Sequence, residues 1–152
     1  MRLTSKGRYG VRAVADLAAL NGERPTSVAA IAAEEWISPE FLEQLFCRLR
    51  RSGIISSVRG PGGGFTLTRK PGEVSVKDIL DAVGEPTAPP PGPESNSTEA
   101  GRNASRAWLR LSRIVDEFLS RVTLKEILEE AGDRRSLGPK PAEAFSCRFR
   151  KA

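Results

Sequence analysis

Between Gln44 and Lys70 the chain carries no Asp or Glu, yet Arg48, Arg50, Arg51, Arg59, Arg69 and Lys70 all fall within that stretch. An ordinary solvated face mixes both signs, so an acid-free run of 27 residues points to a surface that meets a polyanion. Hydrogen-bonding side chains stand just before it. Gln44 can pair with an adenine edge, Glu43 can accept from cytosine, and an arginine such as Arg59 suits a narrow, negative groove. Glu43 would also repel a wrongly placed phosphate or base.

Those side chains need a helix and a hairpin to present them. Ser38 is a helix cap and Pro39 fits the first helical position, where a missing N–H costs nothing. Leu42, Leu45, Phe46 and Leu49 then recur at three- and four-residue spacing and form the apolar face. Glu40, Glu43, Gln44, Arg48 and Arg51 fall largely on the opposite one. Gly53 ends the helix, Ile54 to Arg59 alternates as a strand, and Gly60, Pro61, Gly62, Gly63 and Gly64 make a tight tip before a second strand, Phe65 to Arg69. A helix followed by a basic hairpin is winged-helix geometry.

Composition limits the rest of the chemistry. The 152 residues include no histidine and only two cysteines, Cys47 and Cys147, so the usual general base is missing and little remains for a zinc site or a disulfide framework. A net charge of +5 favours anionic partners. No signal-like segment and no apolar span near membrane length is present, so no membrane association and a cytoplasmic location are expected.

Upstream, Ser5 to Leu20 reads as a supporting helix with Tyr9, Val14, Leu17 and Leu20 inward and Gly22 past its end. Arg2, Lys6, Arg8 and Arg12 stand on its first turns, either touching phosphates or simply solvated. Ser27 caps a short helix, Val28 to Glu35. The turn at Trp36 and Ile37, both expected as core pegs, completes a helix-turn-helix. Ser75 caps a further helix, Val76 to Val83, that closes a first domain over residues 1–83. Residues 84–103, with five prolines, read as a flexible loop.

A long helix follows from Ala104, where Trp108, Leu111, Val115, Phe118 and Val122 repeat as a two-heptad seam widened by Ile114 and Leu119. Such a seam either folds back on the first domain or pairs with its copy, and a two-fold dimer is the expected outcome. Thr123 caps a short helix, Leu124 to Ala131, ended by Gly132. The second unit therefore covers residues 104–132, and 133–152 reads as a disordered basic tail. The fold class is mainly α with a small β-hairpin wing: a winged helix-turn-helix plus a long C-terminal dimerisation helix.

The opening MRLTSKGRYGVRA, the helix SPEFLEQLFCRLRRSG, the wing SSVRGPGGGF and the later TLKEIL, taken in order, resemble the IscR-like family of bacterial winged-helix transcription regulators. The likeness is close over residues 1–83 and looser over the dimer helix. It implies a sequence-specific regulator that binds double-stranded DNA as a homodimer, with its recognition helix in the major groove and its wing in the minor groove. Matching positions imply that Ser38, Pro39, Glu40, Phe41, Glu43 and Gln44 line the base-facing end, and that Arg59, Gly60, Pro61 and Gly62 form the minor-groove probe.

Many members of that family hold an iron–sulfur cluster through three cysteines and a fourth ligand in the loop before the dimer helix. Here the last family cysteine aligns near Arg102 and the histidine ligand near Ser105, and the loop offers only Ser95, Ser97 and Ser105. Arg8 stands where the nitric-oxide-sensing branch has an Asp. Serine oxygen replaces soft thiolate poorly, so no cofactor and no metal ligands are expected in the chain as written. It is then a member without a cluster, or a sequence in which serines replace a parent's cysteines.

Other classes fit less well. The Gly62–Gly64 run is not followed by Gly-Lys-Ser/Thr and is flanked by strand on both sides, against a nucleotide-phosphate loop. Cys47 lacks a histidine to activate it, against a nucleophilic enzyme. RNA is disfavoured because a helix reads the B-form major groove and not the A-form one. The remaining alternatives are a winged-helix module that binds protein, and a cluster-free regulator controlled by a partner protein.

Overall fold

The computed structural model describes residues 4–20, 24–85, 87 and 98–134. Helix α1 (Ser5–Leu20) leads into α2 (Val28–Glu35) and α3 (Pro39–Arg51), then an antiparallel hairpin of β1 (Ile55–Val58) and β2 (Gly64–Leu67). A short helical turn (Pro71–Glu73), α4 (Val76–Val83), α5 (Glu99–Arg121) and α6 (Leu124–Arg134) complete the described chain. The architecture is a winged helix-turn-helix with a long helix appended.

Caps set the helix starts as the side chains dictate. The hydroxyls of Ser27, Ser38 and Ser75 accept from the backbone N–H groups of Ala30, Phe41 and Asp78. Ser75 and Asp78 complete a reciprocal capping box, each side chain bonding the other's backbone N–H. In α3, Leu42, Leu45, Phe46 and Leu49 are buried, as their spacing requires, and pack with Ala13, Val14 and Leu17 of α1 and Ile79 and Val83 of α4. Burying each such side chain contributes about 1.5–3 kcal/mol, and four of them on one face fix the rotation of α3 about its axis.

Within the hairpin Ile55 pairs with Leu67, Ser56 with Thr66, Ser57 with Phe65 and Val58 with Gly64. Its base is tied down twice. Phe65 meets Phe46 edge to face at 4.9 Å, and Thr26 exchanges both backbone hydrogen bonds with Phe65 at 3.0 and 2.9 Å. Gly64 permits that approach, since a Cβ there would stand 2.4 Å from the Thr26 carbonyl oxygen.

Several sequence expectations are corrected. The strands are shorter than Ile54–Arg59 and Phe65–Arg69. The expected start of the long helix at Ala104 moves to Glu99, because the Thr98 hydroxyl caps Gly101. Residues 99–103 therefore leave the loop assigned to 84–103. Its beginning is also structured, with Glu85 and Thr87 buried. Helix α6 runs through Gly132 to Arg134 instead of stopping at Ala131. Leu20 is 54% exposed and not a core residue. Ile37 is buried as expected, but Trp36 is 94% exposed and no peg. The positions of Gly22, of residues 88–97 with Ser95 and Ser97, and of the tail 135–152 lie outside the described residues.

The long helix is not a separate unit. Val76 N–H donates to Val122 O at 2.9 Å and Leu124 N–H to Val74 O at 2.8 Å, while Leu124 is fully buried in the first domain's core. Asp116 of α5 accepts from the Thr87 hydroxyl at 2.7 Å and lies 3.6 Å from the Lys77 ammonium of α4.

Glu85 lies in the span that composition reads as a loop, yet it joins the two ends of the winged-helix domain. Thr4 N–H donates to its Oε1 at 2.7 Å and the Thr4 hydroxyl to its Oε2, so a carboxylate sits at the positive N-terminal end of α1. The Thr4 hydrogen bonds, with Lys6 adding attraction, hold the Glu85 carboxyl below its usual pKa. A lowered folded-state pKa gives stability that is present above the unfolded value and lost as pH falls through the folded one. Glu85→Gln should therefore melt below wild type at neutral pH, by a loss on the order of 1–2 kcal/mol. Thermal melts over a descending pH series should show the gap closing in acid.

Candidate nucleic-acid interface

The turn at Trp36 sets the entry of α3. Trp36 N–H closes on Ala32 O with φ 56°, and Ile37 N–H reaches the same carbonyl at 3.1 Å. Ser38, Pro39, Glu40, Glu43 and Gln44 are then exposed along the first turns of α3. Phe41 differs. It is half-buried, edge to face with Tyr9 at 6.1 Å, and it braces the helix start against α1.

The wing tip is built by its glycines. Gly63 N–H donates to Gly60 O at 2.9 Å, closing a four-residue turn with Pro61 second and Gly62 third at φ 76°. That is the residue pattern of a type II turn, in which the third position needs a positive φ. Arg59, Gly60, Pro61 and Gly62 are all exposed.

The basic stretch divides into two sets. Arg48 donates to Val83 O at 3.3 Å and so caps the C-terminal end of α4, and Arg69 donates to Glu73 O at 3.2 Å and lies 3.8 Å from Asp78. Both are engaged in holding the fold. Among the described residues Arg50, Arg51, Arg59 and Lys70 form no ion pair, so their charge faces outward. Of the α1 cations proposed for phosphates, Arg2 lies outside the described residues and Arg12 is committed. It pairs with Glu35 and stands 5.9 Å over the Tyr9 ring. Beside that pair, burial and the neighbouring Glu35 carboxyl raise Asp16 to about 7. Arg8 is exposed.

On α5 the exposed apolar stripe is Trp108, Leu111, Ile114 and Phe118, each 46–65% exposed, with Leu109 beside it. The seam expected from the heptads is thus offset. Val115 is half-buried on the side that carries Asp116, and Val122 ends the helix in extended conformation with its backbone bound to Val76. Heptad spacing alone could not tell Val115 from Ile114, because both lie within one turn and only the packing of α4 decides between them.

A capped recognition helix beside a basic glycine-tipped hairpin defines a winged-helix DNA-binding protein. The profile of the Rrf2 family, described as iron-dependent transcriptional regulators, matches residues 3–130, and the chain belongs to that family. It is 36% identical to the HTH-type transcriptional regulator IscR of Xenorhabdus nematophila over 99% of both chains. It is 42% identical to IscR of Photorhabdus laumondii, over 84% of this chain and 79% of that one. Among solved structures it resembles CymR, the global cysteine regulator of B. subtilis, with TM-score 0.74, 33% identity, and 86% of this chain and 98% of that one covered. It also resembles T. potens IscR, with TM-score 0.72, 31% identity, and 92% and 93% covered. The chain is a DNA-binding transcriptional regulator and not an enzyme. Among the described residues no helix is long and apolar enough to cross a membrane.

The family's iron chemistry does not fit the donors present. Arg102 and Ser105, the positions at which the resemblance implies ligands, lie in α5, and the Ser105 hydroxyl donates to Gly101 O at 3.1 Å within its own helix. Cys47 sits in α3, half-buried next to the wing strand. Among the described residues no three His, Cys, Asp or Glu side chains are grouped to hold a metal ion.

The wing turn makes a local prediction. A Cβ on Gly63 would stand 2.4 Å from Val58 O and 2.8 Å from Gly60 O, both backbone atoms that can yield only by opening the turn. Gly63→Ala should expose the wing-tip amides to hydrogen exchange and lower duplex affinity, while α-helical circular dichroism stays at the wild-type value.

Proposed function

We propose that the chain binds its operator as a homodimer in the cytoplasm, each α3 entering a major groove and each wing tip the adjacent minor groove. The observation that carries this reading is the rigid placement of α3, with its apolar face locked in the core and Ser38, Pro39, Glu40, Glu43 and Gln44 left exposed. Glu43 and Gln44 have the acceptors and donors for base edges, and Ser38 and Glu40 stand where the helix start meets the groove. Phe41 contributes by bracing that start. Arg59, on the shoulder of Gly60, Pro61 and Gly62, supplies the cation for the narrow groove.

The dimer reading rests on the stripe Trp108, Leu111, Ile114 and Phe118, which the described chain leaves uncovered. An exposed patch of four large apolar side chains on one helix marks an interaction surface, and a self-complementary stripe on a long helix suits a two-fold axis. Two copies would present two recognition helices to a palindromic site. The cluster ligands being replaced, DNA binding proceeds without a metal cofactor, and the controlling signal is a different ligand or a partner protein.

Arg59→Ala should weaken binding to an operator duplex by about 1–3 kcal/mol with no change in melting temperature. Fluorescence anisotropy at moderate salt measures it, and an unchanged isotherm would remove Arg59 from the interface. Leu111→Glu should give a monomer in sedimentation velocity at micromolar concentration, where wild type sediments as a dimer. A wild-type monomer would refute the dimer reading.

A further inference from the structure

Trp36 is the only non-glycine described residue with a positive φ, and it is also 94% exposed. Each property carries a cost. The left-handed conformation disfavours a side chain by about 1–2 kcal/mol, and a bulky residue there is an outlier. A bare indole also leaves a large apolar surface in water. The described structure repays neither cost with a contact, since Ile37 and not Trp36 fills the core beneath this turn. Glycine would satisfy the same backbone at no steric cost. Among the described residues nothing explains tryptophan at this position.

Its location bears on its role. Trp36 ends α2 two residues before Ser38, the cap of α3, so the indole stands beside the start of the helix proposed to enter the groove. The preceding residue, Glu35, is paired with Arg12 and its side chain is only 12% exposed. Glu34 of the same helix end is exposed to solvent. An indole offers a flat apolar face for deoxyribose and one N–H donor for a phosphate oxygen, which is the chemistry of a groove edge.

We propose that Trp36 is a further DNA-contacting residue, its ring laid against the sugar–phosphate edge of the major groove that receives α3. This rests on the DNA reading given above and adds to it a contact that anchors the helix start. The strain at Trp36 is then a feature of the free protein that binding compensates, the relation often found where backbone outliers cluster at binding sites.

The test opposes stability to affinity. A duplex is first selected from random-sequence DNA by the wild-type protein, and wild type, Trp36→Gly and Trp36→Phe are titrated against it and melted thermally. Trp36→Gly should melt no lower than wild type yet bind the duplex about tenfold more weakly, with Trp36→Phe in between. Equal affinity of Trp36→Gly and wild type overturns the proposal and leaves the ring to a protein partner. A parallel fall in melting temperature and affinity also overturns it, because Trp36 would then be a structural residue. Selection of no duplex by wild type would fail the DNA reading itself and take this inference with it, a result distinguishable from the other two.

Discussion

The placement of both the recognition helix and the wing depends on the burial of one face of α3. Leu42, Leu45, Phe46 and Leu49 are removed from water against α1 and α4, and a helix held on four apolar contacts cannot rotate without exposing them. The opposite face is thereby fixed, and with it the direction in which Glu43 and Gln44 point. The wing inherits its position from the same contact, because Phe65 packs edge to face on Phe46. Recognition helix and wing are therefore two outputs of one packing arrangement.

Charge is distributed so that the fold and the interface do not compete for it. Arg48 binds the negative end of α4 and Arg69 the turn before it, so these two cations, though exposed, are tied to the fold. Arg50, Arg51, Arg59 and Lys70 remain outward. The same economy appears on α1, where Arg12 is held by Glu35 and Tyr9 while Arg8 stays exposed. A count of basic residues thus overstates the cationic surface, and only the pairing identifies which charges a phosphate can reach.

The helix order, the caps Ser27, Ser38, Ser75 and Thr123, the glycine tip and the family were legible in the sequence because each rests on local chemistry. What was not legible depends on tertiary packing. Glu85 looked like part of a polar loop, and nothing near it in sequence announces that Thr4 binds it across the fold. Trp36 looked like a core residue by composition, but the left-handed turn that ends α2 directs its side chain into water. The heptad on α5 was visible, yet which flank faces outward was decided by Asp116 binding Thr87 and pairing with Lys77 of α4. That contact places Ile114 and not Val115 on the exposed stripe.

The chain belongs to a family described as iron-dependent, whereas the function proposed for it draws on α3 and the wing and on no metal. Residues 84–105 contain no cysteine and no histidine, and the described contacts that place α3 and the wing come from α1, α4, Thr26 and each other. The most direct measurement is a salt series of duplex titrations on protein treated with a strong iron chelator and on protein reconstituted anaerobically with iron and sulfide. The account predicts identical affinities for the two preparations, with log affinity falling linearly in log salt by about 0.9 per phosphate neutralised. Binding that is lost on chelation and restored on reconstitution, with iron and sulfide retained by the protein, would contradict it.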